Sequence, residues 1–229
     1  MIKAVIFDLD NTLVDFMGMK KQAVSAAVSS MIDAGLALSP EEVEARINMI
    51  YQERGIEFQN VFDQLLYDIF QKVNYKILSA GVVAYRRARE AALVAYPHVM
   101  MTLVQLVKRG IRLAVVSDAP GREAWLRLCY LNVHHLFDHV VTFEDTGEHK
   151  PSPKPFRRAL DLLQVKPEEA LMIGDWPERD VVGAGQLGIK TVFARYGDTF
   201  GTVESNADFE VDDISELIEI IRNENTVRI

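Results

Sequence analysis

Residues 3–12 of the chain read Lys-Ala-Val-Ile-Phe-Asp-Leu-Asp-Asn-Thr. The run from Lys3 to Phe7 shows little alternation of polar and apolar side chains, which is typical of a strand that is buried on both faces of a sheet. Two carboxylates, Asp8 and Asp10, follow this run. Carboxylates at the end of a buried strand are costly unless a positive group lies near them, so the stretch predicts a buried strand that ends in a charged site.

Short apolar runs of the same kind recur along the chain. They are Ile111–Ser117, His139–Phe143, Ala170–Gly174, Lys190–Ala194 and the shorter Phe209–Val211. Helical patterns begin between them, near Arg122, Pro153 and Glu178, and a last one begins near Ile214. Strands that alternate with helices predict an α/β fold, here a three-layer, Rossmann-like core with a parallel sheet.

The stretch from residue 16 to residue 95 interrupts this rhythm. It contains no convincing strand and several amphipathic helical segments. One helix has a clear start signal, since Ser39 is followed by Pro40 and, three residues on, by Glu42, which forms a capping box. A structureless loop of this length is implausible. We therefore predict a core of residues 1–15 and 96–229 that carries an inserted all-helical domain, residues 16–95.

The composition excludes several classes of protein. The 229 residues include 33 acidic and 25 basic side chains, for a formal net charge of −8, which argues against a broad basic face for nucleic acid. No apolar run approaches the roughly 20 residues of a membrane span. Cys129 is the one cysteine, and we expect its thiol to be packed in an apolar helix. We expect a cytoplasmic protein, monomeric or homodimeric, that binds neither nucleic acid nor membranes.

The second and third predicted strands also end in polar groups. Ser117 and Asp118 follow the second strand, and a hydroxyl followed by backbone N–H groups is suited to phosphate oxygens, although a serine there is also a common capping residue. The loop after the third strand carries Lys150 and Lys154 among prolines, which restrict its backbone. Either lysine would offset nearby carboxylates, or would be a solvated surface charge.

The fourth predicted strand adds two more carboxylates, Asp175 and Asp180. Because the carboxyl ends of parallel strands meet at one edge of a sheet, we expect Asp175 near Asp8 and Asp10. Such a set of hard oxygen ligands favours Mg²⁺, with Asp180 orienting the groups that bind it. The alternative is that these acids cap the segments that follow them.

In this order, the four strand ends resemble the signatures of the haloacid dehalogenase-like (HAD) hydrolase superfamily, in its phosphatase branch with a helical cap inserted after the first strand. The signatures are matched by Asp8-Leu9-Asp10-Asn11-Thr12, by Ser117, by Lys150 to Phe156, and by Gly174-Asp175 with Asp180. The third signature favours Lys150 over Lys154. Asn11 and Asp118 depart from the family, in which glycine and asparagine are common at these positions.

The resemblance implies a phosphatase that acts on a small phosphorylated metabolite, such as a sugar or triose phosphate or phosphoglycolate. It implies that Asp8 attacks phosphorus to form an aspartyl-phosphate and that Asp10 serves as general acid and base. The implied Mg²⁺ ligands are Asp8, Asp175 and the backbone carbonyl of Asp10. The residues expected around the substrate phosphate are Ser117, Asp118, Thr12 and Lys150.

Other activities on the same scaffold remain open at this point. Asp10 argues against a 2-haloacid dehalogenase, since those enzymes typically lack this second aspartate. A phosphonatase would need a lysine from the cap, and Lys20 and Lys21 are candidates, but we expect this pair to be solvated. A phosphomutase and a non-catalytic binding protein are the remaining alternatives, and the intact set of acids argues against the latter.

Overall fold

The computed structural model describes residues 1–226 and contains one six-stranded parallel sheet in the order β3-β2-β1-β4-β5-β6. The strands are β1 (Ala4–Phe7), β2 (Arg112–Val116), β3 (His139–Val141), β4 (Ala170–Gly174), β5 (Lys190–Ala194) and β6 (Phe209–Val211). β1 lies between β2 and β4, with Phe7 opposite Val115 on one side and Ile173 on the other. The predicted α/β, Rossmann-like fold is confirmed.

The described part of the chain also contains ten α-helices. They are α1 (Phe16–Asp33), α2 (Pro40–Arg54), α3 (Val61–Phe70), α4 (Tyr75–Ala92), α5 (Val99–Lys108), α6 (Gly121–Tyr130), α7 (Phe143–Thr146), α8 (Pro153–Leu163), α9 (Val182–Gly185) and α10 (Leu217–Thr226). Short 3₁₀ turns cover His134–Leu136, Pro167–Glu169, Arg195–Gly197 and Ile214–Glu216, and one π-helical turn covers Pro177–Val181. None of the helices described is long and apolar enough to cross a membrane.

One predicted boundary is wrong, and one predicted helix begins with a different type of turn. The third strand ends at Val141 rather than Phe143, because Thr142 forms a capping box with Asp145 and so starts α7. The helix predicted near Glu178 begins as the π-helical turn and continues as the short α9. The remaining strands agree with the sequence to within a residue at each end.

The chain divides into two compact units, one formed by Met1–Asp15 with the chain from Val94 onward, and the other by Phe16–Leu93. In the first unit, all four residues of β1 are fully buried, as an uninterrupted apolar strand should be when both faces are covered. On one face, Ile6 and Met172 belong to a cluster with Phe156 and other side chains of α8.

The second unit consists of α1 to α4 around its own apolar core. The predicted capping box is present at the start of α2, where Glu42 N–H donates to Ser39 Oγ over 3.3 Å and Ser39 N–H donates to Glu42 Oε2 over 2.9 Å. Met31, Ile47, Leu65 and Leu66 are fully buried in the core cluster of this unit.

Lys20 contradicts the expectation of a solvated basic pair. Its side chain is buried, and its Nζ lies 4.4 Å from the ring centroid of Tyr51 and 5.5 Å from that of Tyr85. An ammonium placed over the face of an aromatic ring is attracted by the ring's quadrupole, which offsets part of the cost of burial. Lys21 is exposed, as expected.

Candidate active site

The loop after β1 places the predicted Asp8 and explains the asparagine at position 11. Asp8 continues the sheet by one residue, since its N–H donates to the carbonyl of Ile173 over 2.9 Å, and its side chain is buried. Asn11 has a φ of 59°, in the left-handed region that asparagine and glycine tolerate best. The backbone of this turn is therefore one that asparagine tolerates.

Three buried carboxylates converge at this edge of the sheet. Asp8, Asp175 and Asp180 each offer an oxygen, and these oxygens all lie within 4.8 Å of one another. Thr12 Oγ1 lies 3.3 Å from Asp8 Oδ2 and 3.4 Å from Asp175 Oδ1, close enough to donate to either. The strand ends of β1 and β4 thus bring Asp8 and Asp175 together, as their positions after adjacent parallel strands predict.

One ammonium lies among these acids. Lys150 is 5% exposed, and its Nζ lies 2.5 Å from Asp8 Oδ1 and 2.6 Å from Asp180 Oδ1. Burial opposes the charge on the ammonium, but the carboxylates of Asp180, Asp8 and Asp118 outweigh it and raise the pKa of Lys150. Lys154 is exposed and pairs with Glu148 over 3.1 Å, so Lys150 is the lysine that reaches the cluster.

The acids outnumber the ammonium, and their pKa values reflect this. Burial raises the pKa of Asp175 to about 9, with further contributions from the charges of Asp8 and Asp180. Burial also raises the pKa of Asp180 to about 6, although Lys150 acts in the opposite direction. A divalent cation would relieve this excess of negative charge, and the oxygen ligands are of the type that Mg²⁺ prefers. The residues present therefore fit a magnesium site.

Asp180 approaches the strand end so closely that only glycine fits at position 174. A Cβ added to Gly174 would lie 2.2 Å from Asp180 Oδ2 and 2.3 Å from its Cγ. The same Oδ2 accepts a hydrogen bond from the N–H of Trp176 over 3.1 Å, while Oδ1 faces Lys150. Asp180 is thus fixed on both oxygens, and it holds the lysine against the cluster.

Ser117 and Asp118 lie at the end of β2, on the same edge of the sheet. Ser117 is buried, and its Oγ accepts a hydrogen bond from the N–H of Ala119 over 3.1 Å. Asp118 Oδ1 accepts from the backbone N–H of Lys150 over 2.9 Å, and Oδ2 accepts from Arg179 Nη1 over 2.9 Å. Both oxygens of Asp118 therefore bind groups of the chain itself.

Asp10 has a partner that the sequence did not reveal. Arg127, on α6, is 5% exposed, and its Nη1 lies 2.6 Å from Asp10 Oδ2. Arg127 lies in an apolar helical pattern that predicts a buried Cys129. The expectation for the cysteine is wrong: Cys129 is exposed, because α6 turns Ala124, Arg127 and Leu128 inward instead. An arginine between two leucines was the available signal.

Two further groups at the site follow β5. Tyr196 donates from its hydroxyl to the carbonyl oxygen of Thr12 over 2.9 Å. A Cβ added to the neighbouring Gly197 would lie 1.7 Å from the carbonyl oxygen of Asn11, so the backbones approach too closely for any other residue. Tyr196 and Gly197 thus brace the loop that carries Asp8 and Asp10.

Comparison with known proteins agrees with this geometry. A family-wide sequence model described as haloacid dehalogenase-like hydrolase matches residues 5–194. The glyceraldehyde 3-phosphate phosphatase of Methanopyrus kandleri is 38% identical over 228 residues, covering 97% of this chain and 98% of the relative. The protein of the same name from Methanocaldococcus jannaschii is 34% identical over 225 residues, with 97% and 98% covered.

A solved structure shows the same fold. The HAD phosphatase from Thermococcus onnurineus superposes with a TM-score of 0.71 at 27% sequence identity, covering 96% of this chain and 98% of the other. The predicted family is confirmed by the match over most of the chain and by relatives of nearly equal length. This chain belongs to the haloacid dehalogenase-like hydrolase family.

Proposed function

We propose that this protein is a magnesium-dependent phosphatase that hydrolyses a triose phosphate of the glyceraldehyde 3-phosphate type. The relatives at 38% and 34% identity are phosphatases, which confirms the prediction of a phosphoric monoester hydrolase. The observation that carries the proposal is the buried group of Asp8, Asp175 and Asp180 around the ammonium of Lys150. The names of these two relatives, both glyceraldehyde 3-phosphate phosphatases, support the choice of a triose phosphate.

Asp8 is the proposed nucleophile. One of its carboxylate oxygens attacks phosphorus, the bond from phosphorus to the substrate oxygen breaks, and an aspartyl-phosphate forms. Asp10 gives a proton to the departing oxygen and then takes one from the water that hydrolyses the intermediate, so that inorganic phosphate leaves and Asp8 is restored. The proximity of Lys150 to Asp8, 2.5 Å, supports this role, because an ammonium there stabilises the charge of the reacting oxygens.

Asp8, Asp175 and the backbone carbonyl of Asp10 would hold Mg²⁺. When bound, the ion neutralises charge between the nucleophile and the phosphate that it approaches. Asp180 orients Lys150, to which it is joined over 2.6 Å. Ser117, Thr12 and Lys150 are the side chains that we propose for the remaining phosphate oxygens, because they lie at the same edge of the sheet.

The finer parts of the sequence prediction remain part of the proposal. They are a core of residues 1–15 and 96–229 with a helical cap of residues 16–95, a cytoplasmic location, and a monomeric or homodimeric state. The one cysteine supports a reducing compartment.

Phosphate release from glyceraldehyde 3-phosphate and from p-nitrophenyl phosphate tests the proposal directly. The purified protein with Mg²⁺ should hydrolyse both, and Asp8→Asn should abolish turnover because the amide is a poor nucleophile. Asp161→Asn, at an exposed position on α8, is the matched control and should keep wild-type activity. Wild-type turnover by Asp8→Asn would contradict the assignment of Asp8 as the nucleophile. Full activity after exhaustive chelation would contradict the need for a metal ion.

Two further assays cover the alternative activities. Release of halide from 2-chloropropionate would identify a dehalogenase. Borohydride trapping of a lysine adduct with a phosphonate substrate would identify a phosphonatase.

A further inference from the structure

The Asp118 carboxylate follows Ser117 at the end of β2, but its contacts differ from those of a group that binds phosphate. Its two oxygens accept hydrogen bonds from the backbone N–H of Lys150 and from the guanidinium of Arg179, each over 2.9 Å. A carboxylate facing the substrate would repel a phosphate dianion, whereas one paired with arginine is largely neutralised. The Asp118 carboxylate therefore binds two other groups of the protein, the Lys150 backbone and the Arg179 side chain.

Arg179 is held on a second side by an aromatic ring. The centre of its guanidinium lies 3.8 Å from the ring centroid of Trp176. Stacking on an indole and pairing with a carboxylate together fix the planar guanidinium more firmly than either contact alone. The backbone N–H of Trp176 in turn donates a hydrogen bond to Asp180 Oδ2.

These contacts form a closed ring that begins and ends at Lys150. From the backbone N–H of Lys150 the ring runs through Asp118 and Arg179 to Trp176, then through Asp180 to the ammonium of the same lysine. It joins the segments that follow β2, β3 and β4. Lys150 is thus held at its backbone by one part of the ring and at its Nζ by another.

We propose that Asp118 and Arg179 are positioning residues that hold Lys150 in reach of Asp8, and that the Asp118 carboxylate does not bind the substrate phosphate. This inference rests on the proposed phosphatase function. It replaces the expectation, drawn from the family resemblance, that Asp118 belongs to the phosphate site. The side chain that delivers charge to the reaction is Lys150, and Asp118 and Arg179 act through it.

Steady-state kinetics of Asp118→Asn, Arg179→Gln and the double variant test the coupling. Each single variant should lower kcat about 10- to 100-fold, the usual cost of a hydrogen bond to a charged group. The inhibition constant of inorganic phosphate should rise as well, because Lys150 is also a proposed ligand of the phosphate oxygens. Because both residues act through one contact chain, the double variant should be no slower than the more damaged single variant. Arg179→Lys should recover part of the loss.

Lys154→Gln is the matched control, since Lys154 lies four residues after Lys150, in the first turn of α8, and its ion pair with Glu148 is exposed. Its kcat and KM should match those of the wild type. A second readout needs no turnover: exchange of the Lys150 backbone amide with deuterium, followed by NMR, should be faster in Asp118→Ala and Arg179→Gln and unchanged in Lys154→Gln.

The opposite results are equally clear. An unchanged kcat with tighter binding of phosphate in Asp118→Asn would show that this carboxylate faces the substrate, and would overturn the inference. Additive losses in the double variant, or unchanged exchange of the Lys150 amide, would also overturn it. If the wild-type protein releases no phosphate from any substrate, the proposed function fails, while the exchange measurement still decides whether the ring holds Lys150.

Discussion

Two buried lysines, one in each unit, are accommodated in different ways. Lys150 in the sheet unit lies within 2.6 Å of carboxylate oxygens from Asp8 and Asp180. Lys20 in the helical unit lies over the rings of Tyr51 and Tyr85. The first arrangement sets full charges against each other, and the second sets a charge against the faces of aromatic rings.

The two lysine environments differ in how closely the position of the ammonium is constrained. Buried carboxylates around an ammonium require close geometry and leave a strong field at the site, which suits a reaction on a phosphate. The attraction of an ammonium to ring faces is weaker than its attraction to buried carboxylates, so less free energy depends on the position of Lys20. We expect the sheet unit to be sensitive to changes that the helical unit accepts.

Lys150→Met should have the largest effect. Removing the ammonium leaves the buried acids without their positive partner, which should lower the free energy of unfolding of the metal-free protein by about 3–5 kcal/mol. The loss of a charged group beside Asp8, the proposed nucleophile, should also lower kcat about 100- to 1,000-fold. Urea unfolding and phosphate release measure the two effects. Near-wild-type values in both would contradict the claim that Lys150 depends on its contacts with buried carboxylates.

The second-largest effect should be a dependence of stability on pH, which arises from the buried acids of the sheet unit. The folded protein holds protons on Asp175 and Asp180 up to pKa values of about 9 and about 6, whereas the unfolded chain releases them near pH 4. Between about pH 4 and pH 9 the folded state binds more protons, so the stability of the metal-free protein should fall as the pH rises.

The control for this measurement is Asp175→Asn, which lacks the titrating group. Its stability should gain on that of the wild type as the pH rises through this range. Saturating Mg²⁺ should stabilise the wild type more at pH 8 than at pH 5, because the ion binds the ionised carboxylates. Parallel pH profiles for the wild type and Asp175→Asn would contradict the raised pKa.

Two glycines allow a matched test of tolerance. Gly197→Ala places a Cβ against the backbone carbonyl of Asn11, which cannot move without the loop that carries Asp8 and Asp10, and should destabilise the protein by about 3 kcal/mol. Gly81→Ala places a Cβ 2.6 Å from Cγ of Met31, a flexible side chain, and the gain in helix propensity offsets the shift to within about 1 kcal/mol. Thermal unfolding compares them, and equal losses would contradict the difference.

Lys20→Met should have the smallest effect. Methionine keeps most of the side-chain length, and it trades the attraction of the ammonium to the rings against the cost of burying it. The free energy of unfolding should therefore change by no more than about 1 kcal/mol. Lys21→Met, at an exposed position, serves as the control. A loss as large as that of Lys150→Met would show that Lys20 depends on full charges too.

The sequence predicted the parts of the site that follow from strand order. Asp8 and Asp175 come directly after uninterrupted apolar strands, and the edge on which they meet follows from the parallel sheet. The glycine before Asp175 and the acid five residues after it completed the signature. Those positions are local in sequence, so a pattern of neighbours was enough to find them.

The parts that were missed depend on packing between distant segments. Arg127 reaches Asp10 across 117 positions of the chain, and it lies on a helix whose apolar pattern did not reveal the inward face. Trp125 on that helix is 46% exposed although its side chain is large and apolar. Lys20 was expected in solvent because the rings that cover it come from α2 and α4. Such contacts are set by tertiary packing.

The central place of β1 has a consequence for synthesis. β1 pairs with β2 and with β4, whose residues follow it by about 160 positions. At elongation rates of roughly 5–20 residues per second, an apolar strand that leaves the ribosome early waits about 8 to 30 seconds for that neighbour. The four helices of the second unit are complete long before then. The helices of the second unit are therefore synthesised before either neighbour of β1, and the interval until β4 follows is when a chaperone has most to shield.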